Sequence, residues 1–205
     1  ALDAKSGKQS WRFDTVPAPG EEGHETWPSD NEEWKQGGGG AWSTPTVDPE
    51  LGLVIFGVGN PVPQWGGELR KGDNLFTDTV VALDLNTGNV RWHFQTTHHD
   101  IWEADIGTPI VLYDAVVDGK KRKAVAAMHT NSFLFLLDRT TGEPIHPVEE
   151  KPFPQNPRLF TNPTQPIPVG VDPIAPLCIS QDIIPEGFKG MCMYDPIDYL
   201  SLIHI

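Results

Sequence analysis

A short motif that occurs three times constrains the fold of this chain more than any other feature of its sequence. Each copy reads apolar-Leu-Asp-x-x-(Ser/Thr)-Gly, and a large ring residue follows four positions after the glycine. The copies begin at Ala1, Ala82 and Leu136, and lead to Trp11, Trp92 and His146 in that order. Similarity between segments of one chain is the sequence signature of a repeat architecture. The motif therefore predicts that one structural unit is built several times.

The residue types of the motif are those of a β-hairpin followed by an aromatic contact. An apolar strand ends at the Asp, whose carboxylate can accept backbone N–H groups in the turn. The Gly supplies the positive φ that the turn needs, and the next strand leads to the aromatic residue. Repeated units with an aromatic side chain packed between neighbours are typical of β-propeller blades that dock through tryptophan. Because His146 replaces Trp in the third copy, we expect a weaker contact there.

The composition also favours an all-β fold. The chain has 20 Gly, 20 Pro and 7 Trp among 205 residues, which indicates short strands and tight turns rather than a helical bundle. No window has a sustained apolar period of 3.6 residues, so no long helix is predicted. The net charge of −13 argues against nucleic acid as a partner, because phosphate binding needs a concentrated basic face. The basic run at 120–123 follows Asp118-Gly119, and we interpret it as a solvated hairpin turn.

The repeats divide the chain into blades and irregular segments. We predict the closing edge of one blade at 1–14, a four-stranded blade at 41–95 and a second at 107–148. Residues 15–40 are polar and Gly-rich, and they do not fit a blade. Residues 149–205 are Pro-rich with hardly any strand pattern, and we expect an irregular insertion there and a truncated C-terminus. The chain begins inside a motif and ends abruptly, so we expect a fragment with about two and a half blades of a larger propeller.

Two cysteines, Cys178 and Cys192, leave two alternatives open. They could form a disulfide in an oxidising compartment, or they could be free thiols. Their spacing is not that of a zinc knuckle, which has two residues between its cysteines. The sequence contains no visible signal peptide and no membrane-spanning run.

Three positions combine residue types that can bind a cofactor or a metal. Trp42 follows the glycine run at 37–40, and it is either a stacking platform for a planar group or an aromatic residue that fills a blade interface. Asn60 lies in a Gly-Asn-Pro sequence, which fits either an ordinary turn or a neutral oxygen ligand for a hard cation. The octet at 98–105 contains two histidines and three acids. A zinc site is disfavoured there, because adjacent residues of an extended strand point to opposite faces and His98 and His99 cannot readily meet at one ion.

These motifs together resemble one family. The run GGGGAWSTPTVDPELGLVIFGVGNP at 37–61, followed by GDNLFTDTVVALDLNTGNVRWHFQTTHHDIWEAD at 72–105, resembles the eight-bladed alcohol and sugar dehydrogenases that depend on pyrroloquinoline quinone (PQQ). The resemblance covers roughly residues 1–150 and rests on several linked motifs. It implies a periplasmic enzyme that passes electrons to cytochrome c or ubiquinone, a location that fits a Cys178–Cys192 disulfide.

The resemblance also implies roles for individual residues. Trp42 would lie flat beneath the PQQ ring system, with the backbone of Gly40 allowing close approach. Asn60 would donate its amide oxygen to a metal ion, Ca²⁺ or a lanthanide, and Asp105 would be a second metal neighbour. An alternative for Asp105 is a solvated loop acid. Glu103 occupies the position of the catalytic base, where relatives usually have Asp.

A further departure from the family lies at Thr130, where relatives usually carry a Lys or Arg that hydrogen-bonds the quinone oxygens. Threonine can donate a hydrogen bond but has no charge. We therefore expect PQQ-dependent oxidation of an alcohol or sugar hydroxyl at an altered site. The alternatives are a non-catalytic propeller scaffold, or a degenerate quinoprotein that no longer turns over. Asp73, Asn74 and Thr77 are interpreted as loop structure without a chemical role.

Overall fold

A computed structural model describes residues 1–175, and its regular structure is almost entirely β. The strands in this part of the chain are β1 Thr46–Asp48, β2 Leu53–Gly57, β3 Thr79–Asp84, β4 Val90–Gln95, β5 Val111–Val117, β6 Lys120–Met128, β7 Leu134–Asp138, β8 Val148–Pro152 and β9 Thr164–Pro168. Short 3₁₀ helices lie at His24–Thr26, Glu33–Gln36 and Gly67–Leu69. Within the described residues, no helix has the length and apolar character that crossing a membrane requires. The predicted all-β class is confirmed.

The first blade is a sheet of four antiparallel strands in the order β1-β2-β3-β4. Its central strands read LVIFG and TVVALD, and nearly every residue in them is buried. Continuous apolar runs of this kind are expected for strands that are covered on both faces. Tight packing on both faces is therefore why these two segments form the centre of the blade.

The second blade differs from the four strands that the sequence predicted. Among the described residues, its sheet has three antiparallel strands in the order β5-β6-β7. In place of a fourth strand there is a single bridge between Leu137 and Pro144. Next to it, the N–H of Ile145 donates to Leu136 O at 2.8 Å. Pro144 has no N–H group to donate, so the ladder is weakened at this position. The basic run at 120–123 also proves to be the start of β6 rather than the turn itself.

The prediction of hardly any strand structure after residue 148 is wrong for its first part. Strands β8 and β9 pair in antiparallel fashion from Val148 opposite Pro168 to Pro152 opposite Thr164. Three prolines lie within these strands, which argues against a strand when the sequence is considered alone. They are tolerated because both strands of a two-stranded ribbon are edge strands. Cys178 and Cys192 lie outside the described residues.

The tryptophan of each of the first two repeats docks on the glycine of the next repeat. Trp11 covers Gly88, where a Cβ atom would lie 2.5 Å from the indole Cε3, and Trp92 covers Gly142 with a corresponding distance of 2.7 Å. The indole N–H groups donate to backbone carbonyls, from Trp11 to Leu85 at 3.1 Å and from Trp92 to Arg139 at 3.0 Å. The predicted aromatic contact between neighbouring units is therefore confirmed, and it depends on the absence of a side chain at the glycine.

The largest hydrophobic core fills the seam between the two blades. It combines buried residues of β2, β3 and β4 with buried residues of β6 and β7, including Ile55, Trp92 and Phe135. A buried ion pair closes one end of the seam, where Arg139 Nε lies 3.0 Å from Asp48 Oδ2. The shared core thus packs the two blades against each other.

Candidate active site

The six residues singled out from the sequence lie at one end of the two blades. They belong to the loops that follow β2, β4 and β6, and to the segment that leads into β1. Chain direction alternates along each antiparallel sheet, so the C-terminal ends of β2 and β4 and the N-terminal end of β1 meet at the same edge. Backbone hydrogen bonds then connect the loops to one another across the seam.

Trp42 lies on two glycines and presents a bare indole. A Cβ atom at Gly107 would lie 2.8 Å from its Cη2, and one at Gly59 would lie 3.1 Å from its Nε1. Gly59 in turn donates its N–H to the carbonyl of Gly40 at 3.0 Å. With one part of its ring set against these glycines, Trp42 remains 62% exposed. The arrangement gives an open aromatic surface held by backbone.

Asn60 is tied directly to Asp105. The backbone N–H of Asn60 donates to Asp105 Oδ1 at 2.7 Å. The Asn60 side-chain Nδ2 donates to Pro61 O at 3.0 Å, which turns the amide oxygen to the other side. Burial raises the pKa of Asp105, the hydrogen bond from Asn60 opposes that rise, and the nearby charge of Glu103 adds to it. The half-buried carboxylate of Asp105 is therefore held against the backbone of Asn60, whose amide oxygen is not used in this contact.

Thr130 contacts the backbone of both Asp105 and Glu103. Its backbone N–H donates to Asp105 O at 2.9 Å, and its hydroxyl Oγ1 lies 3.4 Å from Glu103 O. Glu103 has an exposed side chain and a left-handed backbone, with φ of 64°. Contacts therefore run without a gap from Gly40 through Asp105 to Glu103. All six predicted residues come together, although they are spread over the sequence from position 40 to position 130.

Two fully buried residues beneath these loops were not found by sequence reasoning. The carboxylate of Asp100 accepts the N–H of Trp102 and the N–H of Ala104, both at 2.8 Å. Burial raises the pKa of Asp100 to about 6, against the lowering effect of those two hydrogen bonds and of Arg70. The Arg70 guanidinium donates to the backbone carbonyl of Asp100, and burial lowers the pKa of Arg70 to about 10. A charged pair enclosed in this way supports the loop that carries Glu103.

Asp78 is a third residue in this region that the sequence analysis did not identify. It is completely buried, and within the described residues neither carboxylate oxygen has a hydrogen-bond partner. The hydroxyl of neighbouring Thr77 donates to Asn74 O at 2.7 Å and is thereby directed elsewhere. Burial raises the pKa of Asp78 well above its usual value, and the charges of Asp100 and Asp105 act in the same direction. Within the described residues, Asp78 is therefore a buried carboxyl group that lacks a hydrogen-bond partner.

The two adjacent histidines point to different surroundings. His99 is buried, and its ring nitrogens lie 2.8 Å from Gly72 O and 2.7 Å from Leu159 O. The ring of His98 instead contacts Gln95 Oε1 at 2.7 Å and Glu150 Oε1 at 3.2 Å. Across residues 1–175, no group of three or more His, Cys, Asp or Glu side chains is arranged to hold a metal ion. The expectation that His98 and His99 do not converge agrees with this geometry.

The β8–β9 hairpin supports the other side of the loop at 98–105. The Gln165 side chain accepts the N–H of His98 at 2.8 Å and donates to the carbonyl of the same residue at 2.7 Å. Farther along the loop, the rings of Trp102 and Phe153 meet edge to face with centroids 5.6 Å apart. Part of the Pro-rich segment thus belongs to the framework of the candidate site.

Comparison with known proteins agrees with this architecture. Residues 1–191 match the family model described as the β-propeller domain of PQQ-dependent glucose, ethanol and alcohol dehydrogenases. The fold and the arrangement of its loops define a quinoprotein propeller, and the chain belongs to this family. The match covers both blades and the β8–β9 hairpin.

Individual relatives are similar to this chain over part of their length. The quinohemoprotein alcohol dehydrogenase ADH-IIG of Pseudomonas putida is 41% identical over 155 residues, which are 70% of this chain and 21% of that protein. The glycerol dehydrogenase large subunit of Gluconobacter thailandicus is 38% identical over 206 aligned positions, covering 97% of this chain and 26% of that protein. The chain therefore spans about a fifth to a quarter of the length of these relatives.

Solved structures give the same result. The quinohemoprotein alcohol dehydrogenase of Comamonas testosteroni superimposes with a TM-score of 0.65 and 32% identity, over 82% of this chain and 27% of that one. A europium-containing methanol dehydrogenase superimposes with a TM-score of 0.58 and 33% identity, over 82% of this chain and 28% of that one. The two blades are thus part of a propeller fold that occurs in dehydrogenases.

Proposed function

We propose that the protein oxidises an alcohol or sugar hydroxyl with PQQ and a bound metal ion, Ca²⁺ or a lanthanide, and that Glu103 is the catalytic base. The observation that carries the proposal is the contact between Asn60 and Asp105 beside the open ring of Trp42. A planar platform and oxygen donors are the parts that a quinone and its cation require, and the contacts among Trp42, Gly59, Asn60 and Asp105 support this assignment.

The residues present fit such groups. An exposed indole backed by glycine can stack on a planar ring system, and stacking of this kind adds to the burial of apolar area. Carboxylate and amide oxygens are ligands that Ca²⁺ and similar hard cations prefer. Within the described residues, Asp105 Oδ2 accepts no hydrogen bond, so it is available to a cation. Asn60 and Asp105 are two donors of a set that other parts of the protein would complete.

When bound, PQQ supplies the hydride acceptor and the metal polarises its carbonyl. The chain itself would position the substrate and move one proton. Glu103 would take the hydroxyl proton at a carboxylate oxygen, since its side chain is exposed at the site. Asp105 would hold Asn60 in place through the 2.7 Å hydrogen bond while it contributes charge to the metal. Thr130 would donate a hydrogen bond where relatives place a cation.

Several features of the whole protein follow from the same proposal. The substrate is a small alcohol or sugar, and the dehydrogenases for alcohols and glycerol among the relatives support this class. The electron acceptor is cytochrome c or ubiquinone, and the location is the periplasm, as the resemblance implies. These assignments concern the full-length protein, because the chain covers only part of its relatives.

The test is Glu103→Gln in the full-length protein, loaded with PQQ and with Ca²⁺ or a lanthanide. We expect kcat for alcohol, glycerol and sugar substrates to fall about 10²- to 10⁴-fold, since a general base contributes roughly that factor. PQQ content should stay at the wild-type level. Glu143→Gln is the matched control, because Glu143 is an exposed glutamate in the turn of the third repeat. A wild-type protein that binds no PQQ in the presence of these metals would overturn the proposal, as would full activity of the Glu103→Gln variant.

A degenerate quinoprotein that binds PQQ without turnover is the second candidate. Glu103 and Thr130, the two residues that depart from the family pattern, favour this candidate. They contact each other, since the Thr130 hydroxyl lies 3.4 Å from Glu103 O. Glu103→Asp and Thr130→Lys bring these positions to the residues usual in the family. If the protein is degenerate, wild type is inactive and the double variant gains quinone-dependent turnover. If the protein is an enzyme as proposed, wild type already turns over.

A further inference from the structure

The backbone of Glu103 is held in a conformation that L-residues rarely adopt. Its φ is 64°, in the left-handed region, and Glu has no side-chain group that favours this region as Asn or Asp does. Non-glycine residues in this region persist where surrounding structure fixes them, and they cluster at functional sites. The contacts that fix Glu103 therefore bear on the direction in which its carboxylate is presented.

Those contacts come from Asp100. One carboxylate oxygen accepts the N–H of Trp102, which precedes Glu103, and the other accepts the N–H of Ala104, which follows it. Both distances are 2.8 Å, and Asp100 is 1% exposed. The Ala104 N–H belongs to the peptide group that follows Glu103, and the Trp102 N–H lies on the other side of Glu103, so the two bonds anchor the chain before and after this residue. Each is strengthened by the negative charge of the acceptor and by the absence of water.

Arg70 extends this support to the loop of Asn60. Its guanidinium donates to the backbone carbonyl of Asp100 and, from the same Nη2, to the carbonyl of Gln64 at 2.7 Å. Its Nε donates to Pro63 O at 2.9 Å, and Arg70 is completely buried. Residues 63 and 64 lie three and four positions after Asn60 along the chain. One buried cation thus connects the loop of the proposed metal ligand with the loop of the proposed base.

We infer that Asp100 and Arg70 are positioning residues that hold Glu103 in register with Asn60 for proton abstraction. The inference rests on the proposed role of Glu103 as the base. Asp100 anchors the chain on both sides of Glu103, and Arg70 holds the backbone of Asp100 relative to the Asn60 loop. Displacement of a catalytic group by about 1 Å costs roughly 10²-fold in rate, so loss of either contact is expected to act on kcat.

A second buried Asp that accepts two backbone N–H groups and contacts an Arg provides a matched control. Asp48 accepts the N–H groups of Glu50 and Leu51 at 2.9 and 3.1 Å, and its other oxygen lies 3.0 Å from Arg139 Nε. Asp48 is 2% exposed, and it ends β1 at the opposite end of the blade from the site. Asp48→Asn and Arg139→Lys therefore disturb a comparable buried pair without touching the loop of Glu103.

The experiment compares Asp100→Asn with Asp48→Asn in the full-length protein loaded with PQQ and Ca²⁺. Asparagine keeps one acceptor for the Trp102 or Ala104 N–H and presents an NH₂ group to the other. We expect kcat of Asp100→Asn to fall about 10- to 100-fold with KM changed by less than about threefold. PQQ content should be retained, and Asp48→Asn should keep the wild-type kcat. Arg70→Lys retains the charge but not the planar fork, and it should lower kcat in the same way.

A double-mutant cycle separates positioning from general loss of structure. If Asp100 acts through Glu103, Asp100→Asn has no further effect on kcat in a Glu103→Gln background, although it lowers the melting temperature equally in both. Single-turnover reduction of bound PQQ, followed by absorbance, extends the measurement to slow variants. If Asp100→Asn does not fold, the same cycle is run with Arg70→Lys.

The possible outcomes are distinct. A wild-type kcat in both Asp100→Asn and Arg70→Lys overturns the positioning role and leaves Glu103 as the base, provided that Glu103→Gln is impaired. Equal fold-losses of kcat in both backgrounds also overturn it, because the effect would not pass through Glu103. Full activity of Glu103→Gln instead overturns the proposed function. The inference is supported if Asp100→Asn lowers kcat when Glu103 is present but not in the Glu103→Gln variant, and if Asp48→Asn keeps the wild-type kcat.

Discussion

The carboxylate of Asp105 accepts the backbone N–H of Asn60 at 2.7 Å, across 45 residues of chain. This hydrogen bond lets the two possible roles of Asp105 be separated by experiment. Asp105→Asn keeps an oxygen for the N–H of Asn60 and removes the charge, whereas Asp105→Ala removes both. Asp105→Asn therefore tests the metal site alone, and Asp105→Ala tests the metal site together with the support of the Asn60 loop.

We expect Asp105→Asn to weaken metal binding by about 10- to 100-fold and to leave stability almost unchanged, whereas Asp105→Ala weakens both. The measurement is a titration of the full-length protein with Ca²⁺ and La³⁺, followed by PQQ absorbance, together with thermal unfolding of the metal-free form. Wild-type metal affinity in Asp105→Asn would show that Asp105 supports the Asn60 loop and does not bind the ion.

Thr130→Lys should increase turnover. The Thr130 hydroxyl is exposed at the site and lies 3.4 Å from its partner Glu103 O, which is a weak contact to lose. A lysine there would place a cation where negative charge develops on the reduced quinone, and such stabilisation acts on the rate of the chemical step. We expect kcat to rise by about 10-fold. Thr140→Lys, at an exposed threonine in a turn, is the control for added charge. An unchanged or lower kcat in Thr130→Lys alone would contradict this expectation.

Gly142→Ala should destabilise the seam between the blades. The new Cβ would lie 2.7 Å from Trp92 Cε3, and φ of Gly142 is +79°, so both the contact and the backbone are unfavourable. Gly119→Ala is a matched control with a similar φ of +73° and no atom within 4 Å. We expect the control to cost about 1 kcal/mol from the backbone, and Gly142→Ala to cost about 1–3 kcal/mol more. Urea unfolding of the full-length variants measures the difference, and equal losses would contradict the docking of Trp92.

His129 should make the protein sensitive to mild acid. Its ring is 2% exposed, Nδ1 accepts the N–H of Asn131 at 3.3 Å, and Nε2 lies 2.9 Å from the Thr97 hydroxyl. Burial lowers the pKa of His129 to about 4, from an ordinary value of 6.5. The unfolded chain therefore takes up this proton first as pH falls. The stabilising contribution is complete above about pH 6.5, and it is lost between pH 6.5 and 4.

The size of this effect follows from the shift in pKa. It corresponds to about 3 kcal/mol at most in the free energy of unfolding, at 1.36 kcal/mol for each unit. His129→Gln should flatten the dependence of stability on pH over that interval, measured by urea unfolding at several pH values. The same slope in wild type and His129→Gln would assign the acid sensitivity to other groups.

The repeats allowed much of the fold to be predicted, because their structure is set locally. An Asp that caps a turn and a Gly with positive φ act within a few residues, as the hydrogen bonds from Asn86 and Thr87 to Asp84 illustrate. The docking of Trp11 and Trp92 on the next repeat followed from the same pattern. The β8–β9 hairpin could not be predicted, since its prolines argue against strands and its pairing depends on an edge position that only the fold defines.

The residues of the candidate site also divide into those that could be predicted from the sequence and those that could not. Trp42, Asn60 and Glu103 were found because they lie in linked motifs that resemble a known family. Arg70 and Asp100 were missed because their partners are mostly backbone atoms, and a sequence pattern does not record which carbonyl a guanidinium meets. Asp78 was missed because an isolated Asp beside an apolar strand usually faces solvent, and its burial depends on distant chain segments.

The docking of Trp92 on Gly142 has a consequence for the site at the other end of the strands. Asn60 lies in a loop that leaves the first blade, and Thr130 lies in a loop that leaves the second. The distance between them therefore depends on the angle between the two blades. That angle is maintained by the indole and by the core around it. Exchange of side chains in this seam can therefore change the distance between the two loops without altering Asn60 or Thr130.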